Sequence, residues 1–177
     1  MYHFFVEPHQ IGAEEIRIEG ADVNHIRNVL RMKPGEEILI SSREGGDYFC
    51  RVEELEPEYV SAKILEEWEN KELPARIHLF QGLPKGDKME LIIQKAVELG
   101  AYRVVPVSMK RSVVKLDAKK ADAKRKRWNA VSESAAKQSK RSLIPEVAPL
   151  MTYKEAVKEA AGYDMVLLPY ESADGIR

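Results

Sequence analysis

At 177 residues, with 44% hydrophobic and 32% charged side chains, the chain can bury one sizeable core or two small ones, and no apolar run approaches the roughly 20 residues a membrane-spanning helix needs. The start MYHFFVEPHQ has neither the basic region nor the long apolar stretch of a signal peptide, so a cytoplasmic location is expected, and the single cysteine, Cys50, excludes an internal disulfide and a multi-cysteine metal cluster. The net charge of -1 argues against a polyanion partner until its distribution along the chain is read.

In chain order, HFFV (3–6), EIRI (15–18), EEILIS (36–41), DYFCRVEEL (47–55) and YVSAKILEEW (59–68) are short apolar or alternating segments that predict strands of a small barrel. Gly45-Gly46 and Glu56-Pro57-Glu58 supply turn chemistry between the last three. Asp22 is placed to cap a short helix carrying Val23, Ile26, Val29 and Leu30 ahead of Pro34-Gly35. The rhythm changes near Asn70 to Pro74, so one domain is expected over 1–73 and a second over 74–177. In the second, the pattern predicts strands at 77–83 and 103–107, helices at 88–99 and 118–139, a weak strand at 146–148, a helix at 153–161 and a strand at 165–168. That alternation is the mark of parallel β/α units, giving an α/β fold with a mainly β N-terminal domain.

Charge divides with the domains. Residues 103–141 hold 13 Lys plus Arg against 3 Asp plus Glu, whereas residues 1–73 hold 8 basic against 17 acidic side chains. A polyanion is the natural partner of the basic half, although a run such as KKADAKRKR is also what a solvated helix looks like. Within QGLPKGDKMELIIQKAVELG the strand-to-helix turn carries Lys85 and Lys88, and Asp87 with Glu90 forms a D-x-x-E variant of the capping box. Met89, Ile92, Ile93, Ala96 and Val97 follow helical spacing and should face a sheet. GLPKGDK lacks the spacing of a phosphate-binding Walker loop, and no GxSxG, HExxH or GxGxxG pattern is present. The loop MKRSVVK offers Arg111, Ser112 and Lys115 as phosphate or base donors, or is a connector kept soluble by charge. Trp128, Val131 and Ala135 read as the buried stripe of the long helix, and Ser132, Ser134, Ala135 and Ala136 as a close-packing face or dimer interface. The four histidines, His3, His9, His25 and His78, read as structural.

GLPKGDKMELIIQKAVELGA, RSVVK, RW followed by ESAAKQSKRSLIPEV, and HIRNVLRMKPGEEI (25–38) together resemble the bacterial family that methylates N3 of a uridine in 16S ribosomal RNA. The resemblance spans nearly the whole chain. It implies the SPOUT class of methyltransferases that use S-adenosyl-L-methionine (AdoMet), with a PUA-like β-barrel, an α/β domain containing a trefoil knot, a homodimer, and 16S rRNA within the small ribosomal subunit as partner, without metal or membrane. Transfer to N3 requires a general base or a cation that stabilises anionic uracil, and Arg111 is the candidate for that cation. RNA contacts are expected from Lys85, Lys88, Arg111, Lys115, Gln138 and Arg141, with Arg31 and Lys33 contributed by the barrel. The cofactor pocket is expected to be reached by Leu168, Pro169, Tyr170 and Glu171. The family's GPEGG-type loop and LGPR-type segment do not occur in the sequence, so the knot is expected to be incomplete and the chain as written inactive. Two alternatives are a SPOUT enzyme acting on another RNA, such as a tRNA ribose hydroxyl, and a non-catalytic RNA-binding module.

Overall fold

The computed structural model describes residues 1–43, 46–69, 72–110 and 116–169. Gly45 of the expected turn, Asn70 of the expected linker, Arg111, Ser112, Lys115, Tyr170 and Glu171 lie outside the described residues.

The N-terminal strands are β1 (Tyr2–Val6), β2 (Glu15–Glu19), β3 (Glu37–Ser42), β4 (Asp47–Leu55) and β5 (Tyr59–Trp68). They form one sheet in the order β1-β3-β4-β5-β2, antiparallel except for the parallel β1/β3 pair. The expected barrel is an open, curled half-barrel, because β1 and β2 stand at its two edges. Side-chain alternation sorts β1 and β3 into two buried faces. Phe4, Val6, Ile38 and Ile40 join Ile16, Ile18, Cys50 and Val60 in the inner core, while Phe5 turns outward into the core of the other half. That is why neither strand shows the polar face of a solvated sheet.

Between β2 and β3, α1 (Ala21–Asn24) continues into a π-turn (His25–Val29) that buries Val23 and Ile26 and leaves Val29 exposed. Asp22 does not cap it. Gly20 occupies the cap position, and the Asp22 carboxylate is drawn instead to Lys137, 3.2 Å away.

The second sheet contains β6 (His78–Gly82), β7 (Arg103–Ser108), β8 (Glu146–Val147) and β9 (Met151–Thr152), all parallel, with α2 (Lys88–Glu98), α3 (Ala118–Ser139) and α4 (Tyr153–Ala160). β8 and β9 pair with opposite ends of β7, and the register slips by one residue between them. The interruption falls at Pro149, which has no N–H to donate, opposite the stretch of β7 containing Pro106. Met89, Ile93 and Val97 of α2 pack with Val104, Trp128, Ala135 and Val147, and Ile92 and Ala96 are partly buried at the margin. Trp128 is therefore core. Ser132 donates to the Pro145 carbonyl at 2.6 Å, and Asn129 both donates to and accepts from Val147, so the small-residue face of α3 holds the 145–148 segment.

The expected strand over 165–168 is not formed. These residues belong to no regular element and pair with no strand among the described residues, and Met165, Val166, Leu167 and Leu168 are exposed.

Candidate nucleic-acid interface

β6 and β7 run side by side and end together, with the Leu83 amide donating to the Val107 carbonyl at 3.0 Å. From β6 the chain turns through Pro84 to Asp87, with Gly86 at φ 71°, and enters α2 at Lys88. From β7 it passes into Met109 and Lys110. A Cβ on Gly82 would stand 3.2 Å from Cγ of Met109, so the missing side chain at Gly82 lets the two loop starts approach closely. Lys85, Lys88 and Lys110 are all exposed at this carboxyl edge, and none forms an ion pair with a described residue. Loops gathered at the carboxyl ends of parallel strands are where α/β folds build sites.

The expected Asp87/Glu90 capping box is absent. Asp87 makes no side-chain cap and its carboxylate faces Lys124 at 3.9 Å, while Glu90 accepts from Arg127 at 2.9 Å. Both acids tie α2 to α3, which removes them from the helix start. A complete box does form at α4, where the Thr152 hydroxyl accepts from the Glu155 amide and the Glu155 carboxylate accepts from the Thr152 amide.

A second group of polar residues lies where α3 meets the half-barrel. Arg141 was expected on an RNA-facing surface and is instead internal. It is 9% exposed, its Nε donates to Glu72 Oε1 at 2.8 Å, its Nη2 also meets that carboxylate, and its Nη1 donates to the Val97 carbonyl at 2.7 Å. Four of the five guanidinium N–H groups are engaged inside the protein, with a second Nη1 bond to the Ala101 carbonyl, so Arg141 joins the linker to the end of α2. Nearby, Lys137 reaches Asp22 of the half-barrel and Glu133 of its own helix, both at 3.2 Å, and Glu133 also meets Arg43 of the half-barrel at 3.6 Å. Part of the basic excess of the second half is thus used to hold the acidic first half.

Between these elements is a cleft of about 550 Å³, with Tyr2 and His3 on one wall and Ser134, Lys137, Gln138 and Lys140 on the other. Gln138 is exposed there, as its expected role requires. His3 is 6% exposed, and its Nε2 lies 2.8 Å from the Ser41 hydroxyl, which in turn donates to Asp47. Burial, reinforced by Lys137 and Lys140, pushes the His3 imidazole down to about 4. Sequence reasoning missed this relay. The outward face of β1 was its only trace.

The family described as "RNA methyltransferase domain" matches residues 71–176, and "RNA methyltransferase PUA domain" matches residues 18–65. The chain belongs to the RNA methyltransferase family. It is 39% identical to ribosomal RNA small subunit methyltransferase E of Bacillus subtilis, over 98% of this chain and 69% of that protein. The enzyme of the same name from Mycobacterium tuberculosis is 30% identical over 90% of this chain and 63% of its own length. The chain thus spans roughly two thirds of these relatives. Among solved structures, ribosomal RNA small subunit methyltransferase E from Neisseria gonorrhoeae bound to S-adenosyl methionine superimposes with a TM-score of 0.77 at 34% identity, covering 90% of this chain and 66% of that one. A putative methyltransferase from Legionella pneumophila, in complex with the same cofactor, gives 0.76 at 28% identity over the same shares.

The expected family and fold class are borne out. Within this methyltransferase chain the remaining candidates are dispersed. Arg31 and Lys33 are exposed on the half-barrel, Arg31 with a left-handed φ of 53°. Leu168 is 85% exposed and Pro169 follows it in the unpaired segment, so the described residues do not by themselves enclose an AdoMet pocket. Among the described residues no group of three metal-ligating side chains occurs, and no helix is long and apolar enough to cross a membrane.

Proposed function

We propose that the protein is an AdoMet-dependent methyltransferase acting on N3 of a uridine in 16S ribosomal RNA, and that the carboxyl edge of its parallel sheet faces the RNA. The observation carrying this assignment is the convergence at Gly82 and Met109 of two basic loop starts, in a chain of the RNA methyltransferase family. Residues 1–73 act as the PUA-like, substrate-assisting domain and 74–177 as the first part of the SPOUT domain.

AdoMet supplies a methyl group already activated by its sulfonium. What the protein adds is placement of the uracil and stabilisation of the charge left when its N3 proton departs. Lys85 and Lys88 hold phosphates at the strand-to-helix turn, Arg31 and Lys33 guide the RNA over the half-barrel, and Gln138 contacts it along α3. Arg111 and Lys115 are assigned on the basic loop they share and on the family resemblance, Arg111 as the cation beside the anionic uracil. Leu168 and Pro169, continuing into Tyr170 and Glu171, contribute one wall of the cofactor site. The working unit is a cytoplasmic homodimer acting on the small ribosomal subunit.

The test is to incubate full-length protein and AdoMet with small-subunit RNA or intact subunits, then analyse digested nucleosides by mass spectrometry. N3-methyluridine is the expected product. A methyl group on a ribose hydroxyl, or none on RNA, would refute the assignment.

A further inference from the structure

The cleft between the half-barrel and α3 lies away from the carboxyl edge of the sheet. α3 passes Asp87 at Lys124, and Gln138 stands 14 residues further along, about 21 Å at the helical rise. A nucleotide held at the cleft is therefore not the one undergoing transfer at the edge.

Hydrogen-bond chemistry says what the cleft can take. Asp47 accepts the only proton of the Ser41 hydroxyl, so the Ser41 oxygen must accept from Nε2–H of His3. Nδ1 is then a bare acceptor, and it is buried without a partner. An unsatisfied buried acceptor is costly, and an N–H donor from a ligand relieves it. His3 and the half-exposed Met1 both line the cleft, so a donor reaching the ring nitrogen enters from that side, by a side-chain shift at the chain start. Tyr2, which alternates to the other face at the start of β1, also lines the cleft and offers a half-exposed aromatic ring at its rim.

The opposite wall supplies polar groups and room. Ala130, Ser134 and Gln138 stand four residues apart on α3, and the first two are too small to close the space. Gln138 presents an amide with both donor and acceptor. Lys140, at the αL residue ending α3 (φ 57°), is exposed and forms no ion pair with a described residue. An aromatic face, a buried acceptor, an amide and one unpaired ammonium match the parts of a nucleotide: ring, N–H edge and phosphate.

We propose that this cleft binds an unpaired nucleotide of the substrate RNA, remote from the methylated one, as a second anchor between the two halves. The proposal rests on the RNA methyltransferase reading and adds a site to it. Tyr2 stacks on the base, His3 Nδ1 accepts from its edge, and Lys140 takes a flanking phosphate.

The test uses full-length protein and a small-subunit RNA fragment carrying 4-thiouridine at its unpaired positions. Irradiation is expected to cross-link RNA to peptides within 1–7 or 130–140. Ser134→Trp, filling the cleft from an exposed position, should abolish those cross-links and weaken binding about tenfold, as loss of one stacked base would, with the urea midpoint unchanged. Lys140→Gly suits the left-handed backbone and should lower the salt dependence of binding by about one ion. If Ser134→Trp binds RNA like the wild type and cross-links fall only outside these peptides, the cleft is not an RNA site, while the methyltransferase reading stands. If the wild-type protein fails to bind the fragment at all, the RNA reading itself fails and the cleft proposal with it.

Discussion

At the seam between the halves, Lys137 and Arg141 meet carboxylates of the half-barrel and linker, whereas Lys85, Lys88 and Lys110 at the sheet's carboxyl edge meet none among the described residues. The side chains are of the same charge and lie in the same half of the chain. Their surroundings separate them: Arg141 is held in a buried fork with two backbone carbonyls, and the edge lysines stand in solvent around Gly86. Net charge along a sequence therefore overstates what is available to a polyanion, because cations that dock one domain on another are neutralised where they sit.

The contrast breaks most sharply at Arg141. Arg141→Ala takes the guanidinium away from the largely buried Glu72 carboxylate, which keeps the Ser142 amide, and strips a donor from the carbonyls of Val97 and Ala101. Removing one partner of a buried pair typically costs about 3–5 kcal/mol, which urea denaturation will read. A loss below about 1 kcal/mol would return Arg141 to the solvent-facing class.

The seam should also carry a pH signature. The folded His3 imidazole sits at about 4, against 6.5 for its ordinary value, so the unfolded state takes up the proton first as pH falls. Stability from this group is complete above 6.5 and declines down to about 4, by roughly 3 kcal/mol in all. Carboxylates titrate in the lower part of the same window, so the diagnostic quantity is the difference between wild type and His3→Gln. Parallel curves for the two proteins would mean that His3 is not buried as described.

Lys137 should be intermediate, since its pairs with Asp22 and Glu133 are partly solvated. A double-mutant cycle on Lys137→Ala and Asp22→Ala is expected to give a coupling of about 0.5–1 kcal/mol. Zero coupling would assign the domain docking to Phe5 and the apolar contacts alone.

Much of the fold was legible because it rests on periodicity. β4 and β5 follow alternating segments from end to end, and α3 runs over the stretch predicted for it. What failed has a common cause. Asp22, Asp87 and Glu90 have capping chemistry at capping positions, yet tertiary partners on α3 claim their carboxylates, and no local pattern announces a partner dozens of residues away. The strand expected over 165–168 has the right composition and pairs with no strand among the described residues, because pairing belongs to two segments while propensity belongs to one. Of the candidate site, Lys85 and Lys88 were readable from a turn and a helix start. Arg141 was not, since a sequence run does not distinguish a cation facing solvent from one facing Glu72. His3 reads as structural in the sequence, and only the hydrogen bond to Ser41 shows that one of its ring nitrogens is left over.

The smallest effect on stability, and the clearest on function, is expected at the edge. Lys85→Ala and Lys88→Ala remove exposed ammonium groups with no described partner, so each should change unfolding free energy by less than about 0.5 kcal/mol. Against small-subunit RNA, each lysine that neutralises a phosphate should lower the slope of log affinity against log salt by about one, and the pair by about two if their contacts are independent. The same measurement on Arg141→Ala, made where the variant remains folded, should leave the slope at its wild-type value, because a guanidinium already paired with Glu72 releases no counterion from RNA. An unchanged slope for the two lysines would detach the carboxyl edge from RNA binding, and a reduced slope for Arg141→Ala would show that the Glu72 pair opens when RNA arrives.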